Sequence, residues 1–276
     1  LDVDNYIELI HFHIKNGTNG LVPAGTTGES PTLSHEEHEK VIELCINETK
    51  GKIPVIAGTG SNSTEEAISL TKHAEKAGAD AALLVTPYYN KPTQEGLYQH
   101  YKAINDSCGI PLIIYNIPSR SVIDITVDTM ARLFELKNIV GVKDATGILD
   151  RVNQQKEKMG NDFIQLTGED ANVLEFNKRG GIGCISVTAN IAPKLCSDFQ
   201  KFSLSKNNNE IKEAERINDL LQPVHKSLFI ESNPSPVKYA AKLLNLCSDE
   251  VRLPLVKVTN STKESIKNAL VSAKLI

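Results

Sequence analysis

The sequence predicts an α/β fold, a (β/α)8 TIM barrel with a C-terminal helical appendage. Three observations carry that prediction. Short apolar runs recur at 20–24, 53–57, 81–86, 111–115, 139–143, 163–167 and 183–187, most of them about 30 residues apart. The runs are continuously apolar rather than alternating, as parallel strands covered on both faces are. Helical patterns fill the gaps between them, so the chain reads as repeated βα units. Such units form a closed barrel, with a doubly wound open sheet as the alternative.

Taken in order, the chain opens on a helix carrying Tyr6, Ile7, Leu9, Ile10 and Ile14, which feeds directly into the first apolar run. The 35–47 segment places Val41, Leu44 and Cys45 on one face, and 65–77 does the same with Ala67, Leu70 and Ala74. Ser34-x-x-Glu37 and Ser63-x-x-Glu66 read as capping boxes, and Gly78 as a helix stop. Gly180-Gly181-Ile182-Gly183 precedes a strand instead of opening a helix, so it reads as a turn and not as a phosphate loop. The strand count is seven. An open edge in a parallel sheet leaves backbone groups unpaired, so the first barrel strand is expected to lie ahead of Leu1. From about residue 192 only helical patterns remain, at 211–228, 236–246 and 263–274, with a polar loop at 205–209. The expected division is a barrel over residues 1–191 and a helical region over 192–276.

Composition narrows the function. Apolar residues make up 40% and charged residues 23% of the 276, enough for a real core, which excludes a disordered chain. The most apolar stretch, Ala81–Val85, is far shorter than the roughly 18 residues of a membrane span, so no membrane partner is expected. A net charge of −4, from 30 basic and 34 acidic residues well mixed along the chain, advertises no face for nucleic acid. Cysteines 45, 108, 184, 196 and 247 form no C-x-x-C pair, and their odd number suits reduced thiols in the cytoplasm.

In a barrel the chemistry sits where strands end. Lys143 closes the run Ile139-Val140-Gly141-Val142, so its stem emerges from the barrel core. Desolvation lowers a lysine pKa, and a neutral amine attacks a carbonyl to form a Schiff base; the plain alternative is a lysine that snorkels to solvent beside Asp144. Tyr115 closes Pro111-Leu112-Ile113-Ile114 in the same way and is either an amphipathic plug or a proton shuttle. Thr26 and Thr27 lie in a Gly-bounded turn whose N–H groups suit a carboxylate, although an ordinary βα turn needs the same glycines. Arg120, just past Pro118, suits a carboxylate clamp over the mouth, as would a chance surface arginine. Strand ends also supply Gly168-Glu169-Asp170 and Ile185-Ser186. His35 and His38 stand at i, i+3 with no third ligand at metal spacing, so no metal is expected.

Four ordered motifs, Gly25-Thr26-Thr27-Gly28-Glu29-Ser30, Pro87-Tyr88-Tyr89-Asn90, Tyr115-Asn116-Ile117-Pro118-Ser119-Arg120 and Gly141-Val142-Lys143-Asp144-Ala145-Thr146-Gly147, resemble the signatures of the dihydrodipicolinate synthase (4-hydroxy-tetrahydrodipicolinate synthase) family of pyruvate-dependent class I aldolases. The resemblance covers essentially the whole chain, including Ser186-Val187-Thr188-Ala189-Asn190 and Asn233-Pro234-Ser235-Pro236-Val237-Lys238. It implies a lyase of lysine biosynthesis that joins pyruvate to L-aspartate-4-semialdehyde without a cofactor. It further implies Lys143 as the Schiff-base lysine and Tyr115 as proton donor and acceptor. Thr26 links Tyr115 to Tyr89, which reaches in from a neighbouring subunit of a homotetramer. Thr27, Gly168 and the Ile185 backbone lie against pyruvate, and Arg120 takes the semialdehyde carboxylate. In the lysine-sensitive branch of the family, L-lysine inhibits from a pocket whose matching positions are His35, His38, Asn62, Glu66 and Tyr88, with Pro31 standing where the family has a small residue.

Two other readings compete. A sister aldolase such as N-acetylneuraminate lyase shares the lysine and tyrosine, but Arg120 and the tandem Tyr88-Tyr89 suit a short semialdehyde bearing a carboxylate. A non-catalytic barrel that binds pyruvate as a sensor is expected to lose Lys143, Tyr115 or Thr26, and all three are present.

Overall fold

The computed structural model describes residues 1–276. Helix α1 (Val3–Lys15) is followed by α2 (His35–Thr49), β1 (Ile56–Gly58), α3 (Thr64–Ala77), β2 (Ala81–Val85), α4 (Gln94–Ser107) and β3 (Leu112–Asn116). Then come α5 (Pro118–Ser121), α6 (Val127–Phe134), β4 (Ile139–Asp144), α7 (Asp150–Met159), β5 (Ile164–Thr167) and α8 (Val173–Lys178). Helices α9 (Pro193–Ser203), α10 (Asn208–Ser227), α11 (Ser235–Leu243) and α12 (Asn260–Ser272) complete the chain.

All strand pairs are parallel, in the order β1-β2-β3-β4-β5. The first and last of the seven apolar runs do not form ladders. Each makes a single bridge, Leu21 to Val55 and Cys184 to Thr167. Five regular strands flanked by two bridged segments therefore replace the seven expected, in the same order and direction. The sheet and its helices form the barrel-type α/β fold.

The apolar runs hide an alternation that appears only in three dimensions. Outward-facing Ala82, Leu84, Leu112, Ile114 and Val142 pack with Leu97, Tyr101, Ile104, Met130 and Leu133 of α4 and α6 in a 14-residue cluster. Inward-facing Leu83, Ile113, Tyr115 and Ala145 form a smaller cluster inside the barrel, with Val22, Leu166 and Ile185 against it. Both faces are apolar, so the period of two is masked. At the end of the chain, Val187 and Ile191 pack with Val224, Val237, Ala240, Ile266 and Leu270, which fastens α10–α12 to the barrel.

Caps follow the sequence with one exception. Ser34 and Glu37 form a full capping box, and Gly78 ends α3 at φ 95°. Ser63 caps α3 through the Glu66 N–H at 3.4 Å, but the Glu66 carboxylate turns to His35 and Ser61 instead of completing a second box. The inner face of α2 is His38, Ile42, Cys45 and Thr49, whereas Val41 and Leu44 are only half-buried. This face rotates because α1 lies alongside, its Tyr6 hydroxyl donating to the Val41 carbonyl at 3.1 Å. Helix α9 lies outside the three C-terminal helical patterns of the sequence; it begins at Pro193, a residue well suited to a first helical turn.

Candidate active site

Sheet register builds the centre of the site. Tyr115 of β3 is paired with Lys143 of β4, so neighbouring parallel strands send both side chains to the barrel interior. The Lys143 Nζ sits 4.0 Å from the centroid of the Tyr115 ring. Burial pulls the lysine down to about 8, only partly offset by Cys184, Asp170 and Glu169. Burial pushes the Tyr115 phenol up to about 12, with a hydrogen bond from Thr26 pulling the other way. A desolvated amine thus lies beside a protonated phenol, the pairing that a Schiff-base nucleophile and its proton donor need.

Thr26 reaches Tyr115 from the turn after the first apolar run. That turn lies so close to β1 that a Cβ at Gly58 would stand 2.3 Å from the Ala24 carbonyl oxygen. Gly28, Glu29 and Ser30 direct their N–H groups back to the carbonyls of Gly25 and Thr26, at 3.1 to 3.4 Å. The N–H groups of Thr26 and Thr27 have no partner in the chain, and two free donors on one turn suit a carboxylate. Across the mouth, Asn233 donates to the Thr27 hydroxyl at 2.9 Å, and Arg120 donates to the Asn233 carbonyl at 3.2 Å. Lys238 and the Arg252 N–H hold Glu29 at 2.6 and 2.9 Å, pinning the same turn from the C-terminal region.

Gly168 lies behind the lysine: a Cβ there would stand 3.0 Å from Lys143 Cε and 2.9 Å from Ala145 Cβ. Ile185 gives its N–H to Thr167 at 3.0 Å, while its carbonyl accepts nothing from the chain. These groups line one open cavity together with Arg120 and Asn233. Thr26, Thr27, Tyr115, Lys143, Gly168, Ile185 and Arg120 thus share one pocket. Tyr89 does not join them within the protomer. It stands 90% exposed at φ 73°, its phenol facing away from the chain's own core.

Most of the proposed inhibitor residues form a second group. His35 contacts Glu66 at 2.9 Å, and Asn62 donates to the Tyr88 carbonyl at 3.1 Å. Hydrogen bonds from Ser61 and His35 hold the Glu66 carboxyl below its usual range. Burial and the Glu66 charge raise the Tyr88 phenol. His38 lies beneath the others, buried, with Nε2 on the Gly58 carbonyl at 2.8 Å and Nδ1 unpartnered. No local pattern marks Asn233, since its partners Thr27 and Arg120 lie 206 and 113 positions away.

The model of the dihydrodipicolinate synthetase family matches residues 1–273. The chain belongs to that family. A 4-hydroxy-tetrahydrodipicolinate synthase of Pelagibacter ubique is 79% identical over 276 residues, covering 100% of this chain and 94% of the relative. The solved structure of the chloride-inhibited dihydrodipicolinate synthase from Acinetobacter baumannii, complexed with pyruvate, superposes with a TM-score of 0.97 at 47% identity, covering 100% of this chain and 94% of that one. A dihydrodipicolinate synthase from Cyanidioschyzon merolae with lysine bound gives 0.96 at 36% identity, with 100% and 93% covered.

Proposed function

We propose that this chain is a lyase with 4-hydroxy-tetrahydrodipicolinate synthase activity, condensing pyruvate with L-aspartate-4-semialdehyde in the diaminopimelate route to L-lysine. The observation that carries this reading is the register pair of Tyr115 with a Lys143 lowered to about 8 by burial. The neutral fraction of the amine, enlarged by burial, attacks the pyruvate ketone, the phenol delivers a proton to the departing oxygen, and loss of water gives an iminium. The free N–H groups of Thr26 and Thr27 take the pyruvate carboxylate, with the open Ile185 carbonyl on the other side. Loss of a methyl proton gives the enamine, whose carbon attacks the aldehyde and forms the new C–C bond. Arg120 holds the semialdehyde carboxylate. The substrate amine then adds to the iminium carbon and expels Lys143.

Tyr89 completes the proton relay from a neighbouring protomer, which fits its exposure and its outward phenol. The working assembly is a homotetramer built as a dimer of dimers. L-Lysine binds at His35, His38, Asn62, Glu66 and Tyr88 as a feedback inhibitor, its ammonium on Glu66 and its carboxylate on Asn62 and the Tyr88 hydroxyl. The pyruvate-bound and lysine-bound relatives support these two ligands. Residues 1–191 supply the barrel, and 192–276 supply the helical region that seats Asn233 and Lys238 at its mouth. Five free cysteines suit the cytoplasm.

The test is borohydride reduction with pyruvate, followed by peptide mass analysis and the reductase-coupled condensation assay. A three-carbon adduct on the Lys143 peptide, with turnover of the semialdehyde, is expected. An adduct elsewhere, or none, refutes the mechanism.

A further inference from the structure

After Ile185 the sheet bonds stop, and a carboxylate takes their place. Up to that point the chain is held to β5 by Ile182 N–H on Gln165, Thr167 N–H on Gly183 and Ile185 N–H on Thr167, at 2.9 to 3.0 Å. The next three residues turn away, and their donors converge on one side chain. Asp170 Oδ2 accepts the N–H of Val187 at 2.8 Å and of Thr188 at 3.2 Å, and Oδ1 accepts the Ser186 hydroxyl. Asp170 is only 4% exposed and forms no ion pair with a lysine or arginine. A carboxylate buried without a cation is costly unless donors surround it, and here the donors come from the segment that follows Ile185. The Thr188 hydroxyl contacts His225 Nδ1 at 2.7 Å, so the arrangement is also anchored in α10.

We infer that Asp170 is a positioning residue: by clamping residues 186–188 it keeps the unpaired Ile185 carbonyl in place beside the Lys143 amine, and so sets how tightly the 2-oxo acid is held. The inference rests on the proposed function. A second consequence is electrostatic. Lys143 is faced by Asp170, Glu169 and Cys184, which favour its charged form, by Arg120, which opposes it, and by the Tyr115 ring.

The experiment measures pyruvate half-saturation of the borohydride-trapped Lys143 adduct, together with KM and kcat, for wild type, Asp170→Ala, Asp170→Asn and Ser186→Ala. A buried hydrogen bond to a charged group typically accounts for about a tenfold or larger change in an equilibrium. Asp170→Ala is therefore expected to raise pyruvate half-saturation at least about tenfold, with a smaller change in kcat. Asp170→Asn keeps the shape and one acceptor oxygen, so half-saturation should stay within about threefold. Its lost charge should move the acid limb of kcat/KM to lower pH, because a less stabilised ammonium gives up its proton sooner. If Asp170→Ala does not fold, Ser186→Ala carries the test, and a severalfold rise in half-saturation supports the clamp. Unchanged half-saturation in every folded variant, with only thermal stability lost, overturns the inference while a wild-type adduct leaves the proposed function standing. Absence of an adduct in the wild type overturns that function, and this inference with it.

Discussion

Gly168→Ala tests whether the space behind Lys143 is set by the barrel or by the lysine itself. The added methyl would stand 2.9 Å from Ala145 Cβ and 3.0 Å from Lys143 Cε. Favourable carbon contact begins near 3.5 Å, so each approach is short by roughly half an ångström. The backbone at Gly168 lies outside the left-handed region, which leaves steric overlap as the sole perturbation. Ala145 Cβ is tied to the chain and cannot retreat, so Lys143 must move instead. A misplacement of about 1 Å costs on the order of a hundredfold in rate, so half that displacement predicts a loss of about tenfold in kcat. Overpacking should also cost about 1–3 kcal/mol of stability. The coupled assay and a thermal melt measure the two effects separately. Ala145→Gly in the same chain removes one of the two overlaps and should recover part of both. A kcat within twofold of wild type, with an unchanged melting temperature, would refute the reasoning.

Lys143→Met should abolish the adduct and alter the pH dependence of stability. The lysine falls from 10.5 when unfolded to about 8 when folded, so between those values the unfolded chain binds more protons and stability rises with pH. The burial penalty, about 3 kcal/mol from that shift, is therefore fully present below pH 8 and gone above pH 10.5. Any stability advantage of the methionine variant should shrink across that window, and a constant difference in denaturant melts would exclude a buried ammonium. Tyr115→Phe and Thr26→Val should each lower kcat by about 10² to 10⁴, and Tyr89→Phe should do so only where protomers associate. Equal activity of wild type and Tyr89→Phe at all concentrations would remove the partner's tyrosine from the relay. L-Lysine should inhibit the wild type, with His35→Ala weakening the effect through loss of the 2.9 Å contact to Glu66. Identical inhibition curves would take His35 out of the inhibitor site.

What the sequence disclosed depended on how far apart the interacting residues lie. Lys143 and Tyr115 could be read individually because each ends an apolar run, and the sheet register then paired them without further information. The Ser63–Glu66 box failed because a local pattern cannot show that His35, 31 positions away, competes for the carboxylate. The buried face of α2 was displaced for the same reason, since Val41 packs towards a helix that lies 35 positions earlier. Asp170 stood in a strand-end tripeptide, but nothing in that tripeptide shows that its acceptors serve residues 186–188. Seven apolar runs were countable, yet only five carry full ladders, and the outer two make single bridges.

The contacts that pin the Thr26–Glu29 turn also bear on how the protein is made. Asn233 to Thr27, Lys238 to Glu29 and Arg252 to Glu29 span 206, 209 and 223 positions. On a ribosome, every strand of the sheet is synthesised before any of these partners exists. At synthesis rates of about 5–20 residues per second, the nascent chain spends several seconds with its sheet complete in sequence and its mouth untied. A chain interrupted after residue 230 would carry Lys143, Tyr115 and Thr26 and still lack the residues that hold the turn. The turn is thus fastened only by the last stretch of the chain to be translated.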